Sequence, residues 1–249
     1  MYLTFTLPRG KEVVTEEFLY KDIKELFQDT TLSNKVKVLE KFIVTKDLNA
    51  VEKFIALLKL RQKCINSAVT LTLDGKDIEI GIDAILQSFE EIINIREQRT
   101  INDITVVLDY PSRFCVDSDN VLSVIHIIEL ENQKIDLSSV SNDEFLQITN
   151  SLPGDVLTLI YEFVEKRKDA LTFNLLDKMY LNFLDASPFI FLNSIFECLD
   201  DYKFREYLFI LSRRIKDVDF LLNCTLVEIY DYIELYRRES EEEKQKLKN

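Results

Sequence analysis

The run from Val69 to Ile80, Val-Thr-Leu-Thr-Leu-Asp-Gly-Lys-Asp-Ile-Glu-Ile, constrains the fold of this chain more than any other stretch. Two segments of apolar–polar alternation flank Asp74-Gly75, and an Asp-Gly pair tolerates the positive φ angles that a two-residue hairpin turn demands. Such a loop pairs Leu73 with Lys76, Leu71 with Ile78 and Val69 with Ile80. Val69, Leu71, Ile78 and Ile80 then share one face, while Thr70, Thr72, Asp77 and Glu79 share the other. An isolated hairpin is barely stable in water, so its apolar face needs cover from other elements.

Helices are the expected cover. Only four Gly and four Pro punctuate 249 residues, which favours long regular elements. At the start, Leu3, Phe5 and Leu7 alternate with threonines, Pro8-Arg9-Gly10 marks a turn, and Val13-Val14 suggests a return strand. Thr15 reads as the N-cap of a helix running to about Phe27, and a second helix spans about 34–43. Asn49 and Glu52 have the spacing of a capping box, opening a helix with Val51, Phe54, Ile55 and Leu58 on one side. After the hairpin, Ile85, Leu86, Phe89, Ile92 and Ile93 suggest a short helix. Ile104, Val106 and Leu108 suggest a strand closed by Tyr110-Pro111. Residues 121–130 fit either a helix or a strand, with strand favoured for the second half, turning at Glu131-Asn132 to pair with Ile135 and Leu137. Ser141 to Glu144 is another capping box. From Asp155 onward the period is helical throughout, with Ser187-Pro188 as N-cap and first turn of one helix and the last helix beginning near Asp219.

The fold expected is α+β and predominantly helical. It has an N-terminal helical part (1–66), a central part with a β-hairpin or small sheet (67–152) and a C-terminal helical bundle (153–249), packed as one body because no linker composition separates them.

A net charge of −13 repels phosphate backbones, so direct nucleic-acid binding is not expected. Imitation of DNA by the acidic surface is the remaining way in which charge alone would carry a function. No stretch is apolar for long enough to span a membrane, and no cationic segment followed by an apolar run marks the N-terminus. The chain is expected to stay in the cell that makes it. Cys64, Cys115, Cys198 and Cys224 are far apart and the one histidine, His126, lacks ligand-spaced neighbours, so buried thiols and no metal are expected.

The motifs of catalysis are missing as well. His126 has no nucleophile with a local signature, and four scattered glycines cannot cradle a phosphate. Asp200-Asp201 and the pair Asp217 and Asp219 lack the spacing and central glycine of a calcium loop. They read, with Asp155, as helix-terminal carboxylates. No enzyme activity and no cofactor are expected.

Aromatics are the one unusual resource: 17 Phe and 10 Tyr, many of them after residue 172. A filled helical core accounts for most of them, and a partner surface is the competing use. In the segment from Tyr202 to Phe209, Phe204 and Leu208 share a face while Tyr207 and Phe209 lie about 200° apart. The final helix adds Tyr230, Tyr232 and Tyr236. Tyr207, Tyr232 and Tyr236 are the candidate partner-binding residues, because tyrosine suits a surface that is alternately wet and buried.

Taken as a whole, the chain resembles the baseplate hub assembly proteins of T4-like bacteriophages. The likeness rests on Leu7-Pro8-Arg9-Gly10-Lys11, on Thr15-Glu16-Glu17-Phe18, on the run from Ile104 to Phe114, on Val124-Ile125-His126 and on the capped helix ending at Leu152-Pro153. The resemblance implies a phage-encoded factor, acting as chaperone or catalyst, that binds hub proteins during construction of the tail baseplate hub in the host cytoplasm and need not persist in the virion. A permanent hub subunit and an acidic inhibitor of a host DNA-binding protein are the alternatives. Relatives can carry a CxxC pair near the central hairpin; Val69 to Ile82 has no cysteine, so no zinc-ribbon role is implied.

Overall fold

The computed structural model describes residues 1–28, 31–73, 75–116, 120–130, 133–176, 179–196 and 201–246. The chain opens with an antiparallel hairpin of β1 (Tyr2–Thr6) and β2 (Glu12–Glu16). Arg9 and Gly10 take positive φ angles of 71° and 77° between them. Here Thr15 is not a helix cap: alternation along β2 sends Val13 and Thr15 fully inward, and pairing of Thr15 with Leu3 holds it in the strand. The helix α1 (Tyr20–Gln28) starts later, where Asp22 Oδ2 accepts the Leu19 N–H at 2.8 Å.

Next come α2 (Leu32–Glu40) and α3 (Ala50–Cys64). The capping box at Asn49 and Glu52 forms as its spacing requires, satisfying backbone donors at the start of α3 in both directions. That helix is the central post of the molecule, with Ala50, Phe54, Ala56, Leu57, Leu58 and Leu60 fully buried. Arg61, also buried, donates from Nε to Ile195 O at 2.8 Å and from Nη1 to Ala68 O at 3.0 Å.

The Asp-Gly hairpin follows as β3 (Ala68–Leu73) and β4 (Lys76–Gly81), in the register set by the alternation: Leu73 with Lys76, Leu71 with Ile78, Val69 with Ile80. Val69, Leu71 and Ile80 are covered, and Ile78 stays exposed; Asp74 itself lies outside the described residues. After α4 (Ile82–Gln87) comes a four-stranded antiparallel sheet in the order β5 (Glu97–Ile101), β6 (Ile104–Leu108), β7 (Ile125–Leu130), β8 (Gln133–Asp136). The strand β5, Glu-Gln-Arg-Thr-Ile, lacks alternation and gave no sequence signal; Asn102 and Asp103, at φ 46° and 65°, make the tight turn into β6. The ambiguous stretch divides into a 3-10 turn at Val121–Val124 and the strand β7, with Ile128 opposite Ile135. The turn expected at Glu131-Asn132 lies outside the described residues.

Two helices, α5 (Asn142–Asn150) and α6 (Gly154–Leu171), lead into the C-terminal part. Helical period does not persist from there. A further hairpin, β9 (Thr172–Leu176) with β10 (Met179–Asn182), interrupts it. Short apolar runs fit either state by periodicity, and packing decides: Phe173 stacks on Phe89 with ring centroids 4.6 Å apart. The helices α7 (Ser187–Phe196), α8 (Asp201–Ser212), α9 (Val218–Leu222) and α10 (Leu226–Lys246) complete the chain. Ser187 is itself the first helical residue, its N–H donating to Asp185 Oδ1 at 2.7 Å. The final helix starts at Leu226 rather than near Asp219, because Asp217 caps the short α9. Thr225 and Glu228 then form a second cap, with the Thr225 N–H donating to Glu228 Oε2 at 2.7 Å.

The architecture is α+β and predominantly helical. Its buried side chains, from Leu7 to Ile229, form one cluster. Aromatic rings knit that cluster together. Phe54 of α3 lies within 5.3–6.0 Å of Phe89, Phe183 and Phe191, and Phe18 meets both Phe42 and Phe196 edge-on.

Candidate partner-binding surface

The C-terminal helices are anchored to the body through Tyr20. Its ring stacks on Phe204 at 4.4 Å, its hydroxyl donates to Phe204 O at 2.6 Å, and its N–H donates to Cys224 O at 2.7 Å. Burial pushes the Tyr20 hydroxyl far above the ordinary phenol range, helped by Tyr207 and Tyr230 nearby. That hydroxyl is a fixed donor joining α1 to α8.

From this anchor α8 presents two different faces. Phe204 and Leu211 point inward and are buried. Tyr202 and Phe209, about 150° around the helix from Phe204, point outward and are 74% and 59% exposed. The Arg213 guanidinium lies 4.4 Å from the Phe209 ring centroid, extending this stripe beyond the last turn. The neighbouring short helix exposes Phe220 and α10 exposes Leu235.

All three tyrosines singled out from the sequence are half-buried, and Tyr207 lies on the side of α8 away from Tyr202 and Phe209. Tyr207 meets Tyr230 edge-on at 5.9 Å. Tyr232 tilts against Phe220 at 6.1 Å. Tyr236 lies under the Arg214 guanidinium at 5.0 Å, and Arg214 Nη1 donates to Glu239 Oε2 at 2.6 Å. On α10, Tyr236 and Tyr232 stand about 20° and 60° from the buried Ile229. They flank the core stripe, neither sunk in it nor free of it. Tyr202, Phe209, Phe220 and Leu235 are the more exposed apolar groups. Their signal was present in the sequence, since residues seven apart share a helical face, and Tyr202 and Phe209 have that spacing.

The other sequence-marked groups have structural work. His126 Nε2 lies 2.6 Å from Tyr110 O. It lines a polar cleft of about 270 Å³ with Arg9, Lys11, Asp109 and Asp136. Within it Lys11 pairs with Glu52 at 2.8 Å, Arg96 with Asp109 at 3.6 Å, and Asp136 accepts from Ser138. Arg9 donates twice to Ile92 O. Arg113 donates to Leu137 O, Val140 O and Asn142 Oδ1 over the Phe145 ring. Asp217 caps α9, and Asp155 in the first turn of α6 accepts from Asn102 Nδ2 at 2.6 Å. Cys64, Cys115 and Cys224 are buried thiols, and burial pushes the Cys64 thiol up to about 11. Cys198 and Asp200 lie outside the described residues. Among the described residues no three His, Cys, Asp or Glu side chains gather as a metal site, and no helix is long and apolar enough to cross a membrane.

Residues 1–175 match the family model described as T4 bacteriophage base plate protein. No curated protein and no solved structure matches the chain.

Proposed function

The chain belongs to the T4 bacteriophage base plate protein family, and from that premise we propose that it is a non-enzymatic assembly factor that binds hub proteins while the tail baseplate hub is built. The observation that carries this reading is the outward stripe of α8, where Tyr202 and Phe209 stand exposed on a helix whose opposite face already fills the core. Aromatic anchors of this kind dominate interface energetics. Half-buried Tyr207, Tyr232 and Tyr236 lie off this stripe, and their amphipathic rings suit a contact that is alternately wet and buried.

An acidic chain with a net charge of −13 stays dispersed in the host cytoplasm until it meets a partner. In the polar cleft around His126, Lys11 is paired with Glu52 and Arg96 with Asp109, while Arg9 and Asp136 are held by Ile92 O and Ser138, which favours binding over chemistry as the protein's work. A transient factor and a permanent hub subunit differ in where the protein ends up. Quantitative mass spectrometry of purified virions beside infected-cell lysate separates them. The assembly-factor reading predicts abundant protein in lysate, co-purifying with unassembled hub proteins, and a copy number well below stoichiometric in virions. Stoichiometric recovery in virions would contradict it.

A further inference from the structure

A groove of about 470 Å³ runs between the β3–β4 and β9–β10 hairpins, lined by Thr70, Leu71 and Thr72 of β3, by Met179, Tyr180 and Leu181 of β10, and by Ile190 and Phe191 of α7. Successive strand residues point to opposite faces. A groove that touches three in a row on each strand therefore lies along strand edges, not over a face. Among the described residues both edges are free: β3 pairs with β4 alone and β10 with β9 alone. The ladder fixes which backbone groups face the groove. Leu73 and Lys76 flank the two-residue turn and form a hydrogen-bonded pair, so the pairs alternate back along β3. Thr70 and Thr72 fall at the non-bonded pairs, and their N–H and C=O groups point away from β4 toward the groove.

Exposed edges in natural sheets are blunted by charge, proline or a bulge. The outer strands of the four-stranded sheet follow that rule, with Glu97 and Arg99 on β5 and Lys134 and Asp136 on β8. Neither β3, Ala-Val-Thr-Leu-Thr-Leu, nor β10, Met-Tyr-Leu-Asn, carries a charge or a proline; β10 has a register shift at Met179/Tyr180, so β3, regular along its length, is the unblunted edge. Tyr180 and Ile190, at 58% and 55% exposure, leave an apolar wall open beside them.

We propose that this groove takes an extended, uncharged segment of a partner protein as an added strand on β3, with apolar side chains seated against Tyr180, Ile190 and Phe191. Main-chain bonds to Thr70 and Thr72 supply affinity, and the apolar wall selects the register. Charge decides the flanks of the occupant. The cross-strand neighbours of Thr72 and Thr70 are the exposed carboxylates Asp77 and Glu79, which favour a segment ending in basic residues over one ending in acidic residues. This surface is separate from the α8 stripe and stands whether or not that stripe binds hub proteins.

The test uses the full chain and three short synthetic peptides of alternating valine and threonine: one flanked by lysines, one by glutamates, and one lysine-flanked but N-methylated at every valine and threonine, so that neither edge can donate. Amide hydrogen exchange is followed at Thr70 and Thr72. The lysine-flanked peptide is expected to slow exchange at both amides about tenfold or more. The glutamate-flanked peptide should need a severalfold higher concentration, and the N-methylated one should have no effect. Ile190→Lys, a change at an exposed position, should weaken the protection without altering the melting temperature. Unchanged exchange at Thr70 and Thr72, equal protection by the N-methylated peptide, or protection confined to other strands would overturn the proposal.

Discussion

Two aromatic-rich regions of this molecule use the same side chains differently. Around α3, Phe54, Phe89, Phe173, Phe183 and Phe191 come from five separate stretches of chain and lock into one interior cluster. Along α8–α10, aromatic groups pair near the surface, Tyr207 with Tyr230 and Phe220 with Tyr232, while Tyr202 and Phe209 meet solvent. The interior cluster is dominated by phenylalanine; tyrosine is the recurring ring outside. A ring with no polar atom loses nothing by complete burial, whereas a phenol needs a hydrogen-bond partner wherever it goes. Tyr20 and Tyr110 are exceptions inside, and they have their acceptors in Phe204 O and Ile93 O. Aromatic density alone therefore does not mark a binding surface. The mark is an aromatic group on a helix whose inward face is already occupied.

The comparison breaks most easily at its strongest point. Phe54→Ala should cost about 3–5 kcal/mol in chemical denaturation, because truncation leaves a cavity among rings that cannot all collapse into it. A loss near zero would mean the interior cluster does not hold the molecule together. Tyr207→Ala should fall between the regions, at about 1–2 kcal/mol, since a half-buried ring forfeits part of its burial and one edge-on contact. Asn49→Ala should cost about 1 kcal/mol by opening the capping box of α3, and the parallel change Thr225→Ala at α10 should do the same. Equal costs at the two caps would show that the C-terminal helices fold cooperatively with the body. No measurable cost at Thr225 would show that α10 melts on its own. Phe209→Ser should change stability by no more than about 0.5 kcal/mol, the range of surface substitutions.

Asp22 offers the smallest and most diagnostic effect. Burial raises its carboxyl above the ordinary value, opposed by its bond from the Leu19 N–H and by Lys41 and Lys21. The folded state then binds the proton more tightly than the unfolded chain does. This group's contribution is most favourable below the unfolded value and declines as pH rises through the folded one. Asp22→Asn keeps an acceptor for Leu19 and removes that slope. Denaturation of the two proteins across the acidic range should show the variant gaining relative stability as pH rises through this window; a difference that is flat with pH would place Asp22 in water.

Local chemistry was legible in the sequence, and packing was not. The register of β3 with β4, both internal capping boxes and the strand half of residues 121–130 follow from spacing that acts over a few residues. What sequence reading lost depended on distant partners. Thr172–Leu176 became a strand because Phe89 waits for Phe173. Thr15 stayed in β2 because its alternation with Val13 turns it inward. The strand β5 has no alternation to read, since Arg99 and Glu97 form an ion pair on one edge of the sheet. For the candidate surface, tyrosine content singled out Tyr207, Tyr232 and Tyr236, which are half-buried, whereas Tyr202 and Phe209 are the exposed rings of α8. Helical spacing distinguishes inward from outward residues only once the inward face is known, and that required Phe204 and Leu211 to be seen buried.

The central claim is that the outward aromatic stripe of α8 serves a partner and contributes little to the fold. The most direct measurement pairs the melting temperature of the double variant Tyr202→Ser, Phe209→Ser with the yield of assembled baseplates in cells infected by phage carrying it. The account predicts a melting temperature within about 2 °C of the parent, as expected for surface substitutions, together with loss of baseplate assembly. Normal assembly at an unchanged melting temperature would contradict it.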